Sequence, residues 1–537
     1  MTLQRDVPAA PSGSPNSPRA WWPIPLYPLA PPLALTVVLW ATSVLPLWLL
    51  VRPVALIIAV TLAVTVTLAL VLRDRDRGAL AATALVLAAM VQDLRPMAAL
   101  ASVAAVIVID GSLHRGRPNR FGRPLTRGLS VLGGSLLLVS VATTVQSGAV
   151  QGAVAELRAE MDAPRRADAY NSSTPDIFLI LLDGYPGDDA MAELDPAYDR
   201  DRFANALTDR GFTFARNSRS NYLLTRLTLA SMFSGRHLAD VPELQRPNEN
   251  PAEASRTLRD FADDGAIWRQ LGAAGMDRFS ISSGWAQLGQ RRVERVVEPP
   301  QLSEFEVVLL RSTGIGTIVG KLAPTAGPTQ VADRIRTTLS DAVNIASERH
   351  DRPRFVFVHV PAPHEPWVFG ADGEINADTP GGYLEKFHGG ESLTPEQRVE
   401  RLAGHLTYLD GLTLDAIDRI RSATPRPTSI VVFSDHGSDV RFDPNNALGS
   451  DLNERTSNIV AVLAPGHPDV FPSGSTVVNL LPRLLNAYLG SSLPDQPDTI
   501  WAWRGSSVLN FVQIERDAAT GSWAPVSGAS AASSPAP

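Results

Sequence analysis

Three near-continuous apolar runs, Asp176–Leu182, Phe355–Val360 and Ser429–Phe433, each break off at residues that can bind a metal or move a proton. Short apolar, β-branched runs of this kind are what strands buried on both faces look like, and such strands belong to parallel sheets covered by helices. Ligands of these sheets gather beyond the carboxyl ends of the strands. The first run stops at Asp183-Gly184, the second leads into "PAPHEPW" with His364, and the third ends in Ser434-Asp435-His436-Gly437. Between the first two lies Asn221–Arg236, "NYLLTRLTLASMFSGR", where a threonine opens an apolar helical run that closes on Ser234-Gly235. These four places together predict an active site built at one rim of a sheet.

From Pro175 to about Val508 the apolar runs alternate with amphipathic stretches at 199–210, 257–274, 329–349 and 395–423. Strands alternating with helices read as βαβ units, so residues 175–508 are expected to form an α/β domain with a mostly parallel central sheet. Residues 151–174 read as a polar linker. Asn171 begins a glycosylation sequon there, a three-residue pattern too frequent by chance to carry weight. Residues 509–537, rich in Ala, Ser, Pro and Gly towards their end, read as a disordered tail.

The first 150 residues obey a different solvent. Residues 1–28 read as a disordered cytoplasmic tail, and residues 29–150 as a transmembrane domain of about five spans. Apolar segments at 29–50 and 53–72 approach the ~20 residues that a bilayer core requires. Two shorter ones, 78–91 and 96–109, suit either spanning or buried segments, and a fifth covers 129–150. With five spans and a cytoplasmic N-terminus, the inner segments hold Arg5, Arg19, Arg73, Arg75, Arg77, Arg115, Arg117, Arg120, Arg123 and Arg127. The outer side holds only Arg52 and Arg95. That asymmetry follows the enrichment of cytoplasmic loops in Lys and Arg, and it places the α/β domain outside the cytoplasm.

Composition excludes several chemistries. The 537-residue chain contains no cysteine, which removes thiolate ligands, disulfides and cysteine nucleophiles. Its net charge of -7, without a clustered basic face, gives no nucleic-acid footprint.

Each candidate residue has two readings at this stage. Asp183 either takes a metal or caps the turn at Gly184. Asp435 and His436 put a carboxylate and an imidazole at one strand end, where both can reach one divalent ion, and Gly437 lets the chain turn away. His364, at the tip of a proline-stiffened loop, suits proton donation to a leaving group. His359 sits inside its strand, either buried or lining the site, and Glu365 reads as a solvated or capping acid. A threonine at a helix N-terminus lies near free N–H groups and the positive dipole end, which favour an alkoxide or phosphate, although an ordinary cap looks the same.

Taken together, the motifs resemble the sulfatase-like branch of the alkaline phosphatase superfamily, which includes membrane-anchored lipoteichoic-acid synthases and phosphoethanolamine transferases. The resemblance covers residues 175 to about 466 and includes the late strand "NIVAVLAPG". Family members carry a nucleophile nine residues ahead of a Thr-Gly or Ser-Gly pair, and Ser234-Gly235 points back to Thr225, with Thr228 where a Ser is common. The resemblance implies that Asp183, Thr225, Asp435 and His436 hold a metal. It also implies that Thr225 is the nucleophile and that His364 contacts the transferred or leaving group.

Departures from the family narrow the chemistry. Sulfatases convert a Cys or Ser, usually in a Cys-X-Pro-X-Arg frame, to formylglycine; this chain has Thr225 there and Leu229 at the Arg position. Sulfatases also often pair acids after the first strand, where this chain has Asp183-Gly184. One divalent ion is therefore expected, Mn or Zn ahead of Mg, with Asp188 or Asp189 as additional candidates. The expected activity is transfer or hydrolysis of a phosphodiester through a phospho-threonine, with a membrane lipid as donor and a glycan or envelope polymer as acceptor. A sulfuric-ester hydrolase and a catalytically inactive envelope assembly factor are the alternatives. Specificity is expected in the loops 285–301 and 370–391, and Arg226, Arg236 and Arg441 are candidate polar contacts.

Overall fold

The computed structural model describes residues 24–43, 47–114, 122–146, 174–245, 251–376 except 286, 287, 289, 291 and 324, and 393–530 except 518. Residues 1–23 and 151–173, expected as a tail and most of a linker, lie outside the described residues. The chain divides into two compact units, one helical and one α/β.

The helical unit comprises α1 (Ala30–Ser43), α2 (Val51–Leu72), α3 (Arg75–Met90), α4 (Leu94–Leu113) and α5 (Gly122–Gln146). Among the described residues three stretches are long and apolar enough to cross a membrane, Leu47–Leu72, Arg95–Leu113 and Pro124–Gln146, where five were expected. The two shortfalls have local causes. α1 is 14 residues long, about 21 Å at 1.5 Å per residue against a hydrocarbon core of about 30 Å. α3 has 16 residues and opens on Arg75-Asp76-Arg77, with Asp74 accepting the Asp76 and Arg77 amides as its cap. The rest of α3 is dominated by alanine, and Ala79, Ala81, Ala82, Ala84 and Ala88 are buried. Small residues let helices approach closely in lipid, and Gly78 shows how closely: a Cβ there would lie 2.4 Å from the Ala69 backbone nitrogen on α2. By contrast, Val51, Leu56 and Val60 on α2 and Val131, Leu132, Leu138 and Val139 on α5 face outward, as lipid-facing side chains would.

The α/β unit is organised on a seven-stranded sheet of order β2-β7-β6-β1-β5-β3-β4. Its strands are β1 (Asp176–Leu182), β2 (Thr213–Phe214), β3 (Asp277–Ile281), β4 (Arg295–Val297), β5 (Arg354–Val360), β6 (Thr428–Phe433) and β7 (Val460–Leu463). β1 pairs in parallel with both β5 and β6, and β3 in parallel with β4 and β5; β7 and β2 add an antiparallel edge. The expected mostly parallel sheet is therefore present, and the "NIVAVLAPG" strand joins it antiparallel.

Strand parity divides the core. Phe178, Ile180 and Leu182 of β1 pack with residues of the 326–347 and 395–423 helices, including Ile335, Leu402 and Leu409. Ile177, Leu179 and Leu181 point the other way, to Leu229, Met232 and Phe233 of the 225–234 helix and to Leu484. At the amino end of the sheet, Asp176 and Arg354 form an ion pair with side chains 0% and 1% exposed. The Arg354 backbone N–H donates to Asp176 Oδ1 at 2.8 Å, fixing the register of β1 against β5 from below.

Residues 509–530 are not a tail. Strands β8 (Ile500–Trp503), β9 (Phe511–Arg516) and β10 (Trp523–Ser530) form a second, antiparallel sheet. Phe511 and Ile514 are buried, and that apolar surface is what makes 511–516 a strand despite the Ala/Ser/Pro-rich composition that follows. Residues 531–537 lie outside the described residues.

Candidate metal centre and nucleophile

Register places the site. Leu181 of β1 is level with His359 of β5 and with Phe433 of β6, so the carboxyl ends of the three central strands form one rim. Ile177, Leu179 and Leu181, Phe355 and Phe357, and Val431 and Phe433 all lie on the face that carries the 225–234 helix. With a side-chain period of two, the next positions on that face are Asp183, His359 and Asp435. Gly184 turns the chain immediately afterwards at φ +76°, in the left-handed region that glycine enters without cost. A Cβ there would sit 3.6 Å from His436 Cε1 and 3.8 Å from His364 Cα, so this turn runs between the two histidine segments.

Asp183, Asp435 and His436 are fully buried and present ligand atoms within 4.8 Å of one another. His436 Nδ1 donates to the Gly437 carbonyl at 2.9 Å, which leaves the lone pair of Nε2 facing the cluster. That nitrogen lies 3.1 Å from Asp435 Oδ2 and 4.0 Å from Asp183 Oδ1. Asp435 Oδ1 accepts the Gly184 amide at 3.1 Å, whereas its Oδ2 is buried without a hydrogen-bond donor. Burial and the adjacent Asp183 charge push Asp435 up to about 7. Two buried carboxylates, one with an orphaned oxygen, and an imidazole nitrogen facing them make a donor set that fits one divalent cation.

Thr225 is the first residue of the 225–234 helix. Its Oγ1 lies 3.1 Å from His436 Nε2 and 3.5 Å from each oxygen of Asp183. The hydroxyl thus completes the cluster as a fourth oxygen or nitrogen donor. Helix 225–234 ends at Gly235 in the left-handed conformation, the role that Ser234-Gly235 suggested.

His359 joins the site. Its Nε2 donates to Asp183 Oδ2 at 2.8 Å, and burial pushes its pKa down to about 4, so the ring is neutral. Its Nδ1 is buried without a partner. Arg455, to which no sequence pattern pointed, is also there. This buried guanidinium donates through Nε to the Leu223 carbonyl and through NH1 to those of Gly437 and Ser438, and its NH2 lies 3.3 Å from His436 Nε2. Phe442 covers its face at 4.4 Å, and burial pulls its pKa down.

His364 stands beside the cluster. Its Nε2 is 3.9 Å from Asp439 Oδ2, its Nδ1 donates to the Glu365 carbonyl, and Trp285 packs edge-on at 4.7 Å. Glu365 is neither solvated nor a cap: it is 8% exposed and bonded to Arg398 at 2.6 Å. Burial and the nearby Asp439 nevertheless push its pKa to about 8. Asp188 and Asp189 are engaged elsewhere, by Arg216 and Arg219 respectively. Arg441 pairs with Asp451 at 3.5 Å, Arg236 donates to the Asp240 carbonyl, and Arg226 is a largely desolvated cation whose pKa is lowered. Of the expected specificity loops, 285–301 contributes Trp285, and 377–391 lies outside the described residues.

A seven-stranded, mostly parallel sheet thus carries acids, histidines and a helix-borne hydroxyl at its carboxyl rim. Residues 294–458 match the family model described as Sulfatase, a span that includes His359, His364, Asp435, His436 and Arg455 but not Asp183 or Thr225. That stretch of the chain is thus similar to the Sulfatase family. No curated protein matched the sequence. Similar solved structures include the C-terminal periplasmic domain of EcEptC from Escherichia coli, at 14% identity and TM-score 0.40, covering 64% of this chain and 93% of that one. The integral membrane lipooligosaccharide phosphoethanolamine transferase A from Neisseria meningitidis is 12% identical at TM-score 0.35, covering 70% and 69%. The phosphonate monoester hydrolase of Agrobacterium radiobacter is 13% identical at TM-score 0.40, covering 65% and 82%.

Proposed function

We propose that the protein is a membrane-anchored phosphotransferase, working outside the cytoplasm, that moves a phospho-headgroup from a lipid phosphodiester to a glycan or envelope-polymer hydroxyl. The observation that carries this reading is Thr225 Oγ1, set 3.1 Å from Nε2 of His436 and 3.5 Å from both oxygens of Asp183.

Asp183, Asp435, His436 and Thr225 would hold one divalent ion, Mn or Zn ahead of Mg, on the strength of their mixed oxygen and nitrogen donors. When bound, that ion supplies Lewis-acid charge that lowers the hydroxyl pKa and offsets charge on the phosphoryl group. Thr225, its proton released to solvent, attacks phosphorus as the alkoxide: the Oγ–P bond forms while the bond from phosphorus to the lipid alcohol breaks. His364 gives the departing oxygen its proton. An acceptor hydroxyl next displaces Thr225 from phosphorus, its proton passing to His364, and water in the acceptor's place gives hydrolysis. His359 holds Asp183 in position, and the Arg455 guanidinium offsets negative charge beside the developing phosphoryl oxygens.

Sulfate-ester hydrolysis is the second reading, favoured by the family-model match. A threonine side chain has no route to the formylglycine aldehyde, which sets this reading behind the first. The test uses purified full-length protein supplied with metal and a phosphodiester donor, quenched early and digested for mass spectrometry. Thr225 should carry the phospho-headgroup adduct, Thr225→Ser should retain turnover, and Thr225→Ala should lose it. Wild-type turnover by Thr225→Ala would overturn the mechanism, and an aldehyde in the Thr225 peptide would transfer the case to the sulfatase reading.

A further inference from the structure

Beyond residue 150, the large apolar side chains that the described residues leave exposed all lie on one helix. They are Ile315 (47% exposed), Ile318 (39%), Val319 (37%) and Leu322 (81%), on the helix Gly314–Leu322. Their spacing is i, i+3, i+4 and i+7. At about 100° per residue they form a single apolar stripe roughly 100° wide. Gly314, Gly316, Thr317, Gly320 and Lys321 make up the rest of the helix. Elsewhere beyond residue 150 the described residues bury their large apolar side chains at least in part, so one confined, continuous stripe is a surface with a partner and not scatter.

The chemistry of the helix indicates which partner. The described residues of the same chain include three helices long and apolar enough to cross a bilayer, so lipid is an apolar phase permanently within its reach. Lys321, one of only two lysines in the chain, flanks the stripe in the last turn. Long basic side chains beside an apolar stripe keep their stems against it and reach outward to anionic headgroups. The helix is too short to span, and its polar remainder keeps it out of the hydrocarbon centre.

We propose that Gly314–Leu322 is an interfacial helix, seated in the headgroup–acyl boundary of an anionic bilayer by Ile315, Ile318, Val319 and Leu322. The inference stands apart from the reaction proposed for the Thr225 site, and its test reads depth, not turnover.

The absence of cysteine makes the test clean. Single Ile318→Cys and Leu322→Cys variants of the full chain, labelled with an environment-sensitive fluorophore, would be reconstituted in phosphatidylethanolamine–phosphatidylglycerol vesicles. Asp415→Cys, at a 64%-exposed side chain, is the aqueous control. The expected result is a blue-shifted emission at 318 and 322, loss of most of the fluorescence with acyl-chain spin-labelled lipid, and little quenching by iodide. The control should show the reverse. Adding Val319→Asp to Leu322→Cys should shift its label from lipid towards iodide quenching. Iodide access at both positions without lipid quenching would overturn the proposal. Protection from both quenchers would also overturn it, because the face would then be covered by protein, and mixing donor- and acceptor-labelled molecules would show whether that protein is a second copy.

Discussion

Replacing His359 tests whether the metal centre depends on a residue outside its own ligand set. Asp183 divides its carboxylate, Oδ2 accepting from His359 Nε2 at 2.8 Å and Oδ1 facing His436. The contact is buried on both sides, with 1% and 0% side-chain exposure, so water does not replace it. A hydrogen bond to a charged group contributes about 1.5–3 kcal/mol, and loss of an outer partner of a metal ligand typically weakens binding about 10–100-fold. The latter corresponds to about 1.4–2.7 kcal/mol, so the two estimates agree. His359→Ala should therefore weaken metal binding by about one to two orders of magnitude, and His359→Gln, which can donate an N–H from a similar reach, should recover most of it. The assay is competition against a chelating dye, with zinc and with manganese, using full-length protein in detergent, and with thermal unfolding of the metal-free form measured alongside. A merely structural role would lower the metal-free unfolding temperature and leave the dissociation constant alone. Metal affinity of His359→Ala within about twofold of wild type, far short of the usual cost of losing such a partner, would refute the argument.

Two further predictions rest on the α/β unit. Asp176→Ala strands Arg354 at 1% exposure without its counter-charge, and a broken buried pair costs about 3–5 kcal/mol; chemical denaturation should show that loss, and a change under about 1 kcal/mol would contradict it. Asp410 is buried against Tyr185 and Arg202, at 2.8 and 2.9 Å, and burial raises it to about 7 from 3.8. Because the folded pKa lies above the unfolded one, the folded state holds the proton more tightly. Its contribution to stability is full below about 3.8 and is lost as pH rises through about 7. At 1.36 kcal/mol per unit this amounts to at most about 4 kcal/mol. Asp410→Asn should flatten the stability–pH curve in that window; an unchanged slope would dismiss the assignment.

The parallel sheet was legible because strands buried on both faces cannot alternate polar and apolar residues, and DIFLILL and SIVVF do not. The membrane unit was less so. Hydropathy counts apolar residues but does not see that Gly78 and the alanines of α3 are small enough to be packed by other helices. A 16-residue, alanine-rich segment therefore scores like a weak span while doing the work of a buried helix. The C-terminal strands were hidden for the opposite reason. Phe511, Val512 and Ile514 form only a brief apolar alternation, and what orders it is pairing with Ile500–Trp503, information that the segment itself does not contain.

The site shows the same boundary between local and non-local information. Asp183, Asp435 and His436 end apolar runs, so a linear reading finds them; Thr225 needed the Ser234-Gly235 register as well. His359 was readable in principle: it continues the parity of Phe355 and Phe357, as Asp183 continues that of Ile177, Leu179 and Leu181, and equal parity at paired strand ends means one shared face. What parity cannot supply is the partner chosen on that face, and the 2.8 Å bond to Asp183 is such a choice. Arg455 lay beyond any local rule. It reaches the cluster from the short Leu452–Thr456 helix, held by carbonyls of Leu223, Gly437 and Ser438 from two other segments. A buried guanidinium persists only where acceptors and counter-charges surround it, and here the counter-charges are Asp439, Asp435, Asp183 and Glu454. Asp183 and Asp435 thus lie beside a fixed positive charge, that of Arg455, and in the cluster with His436 whose ligand atoms lie within 4.8 Å of one another.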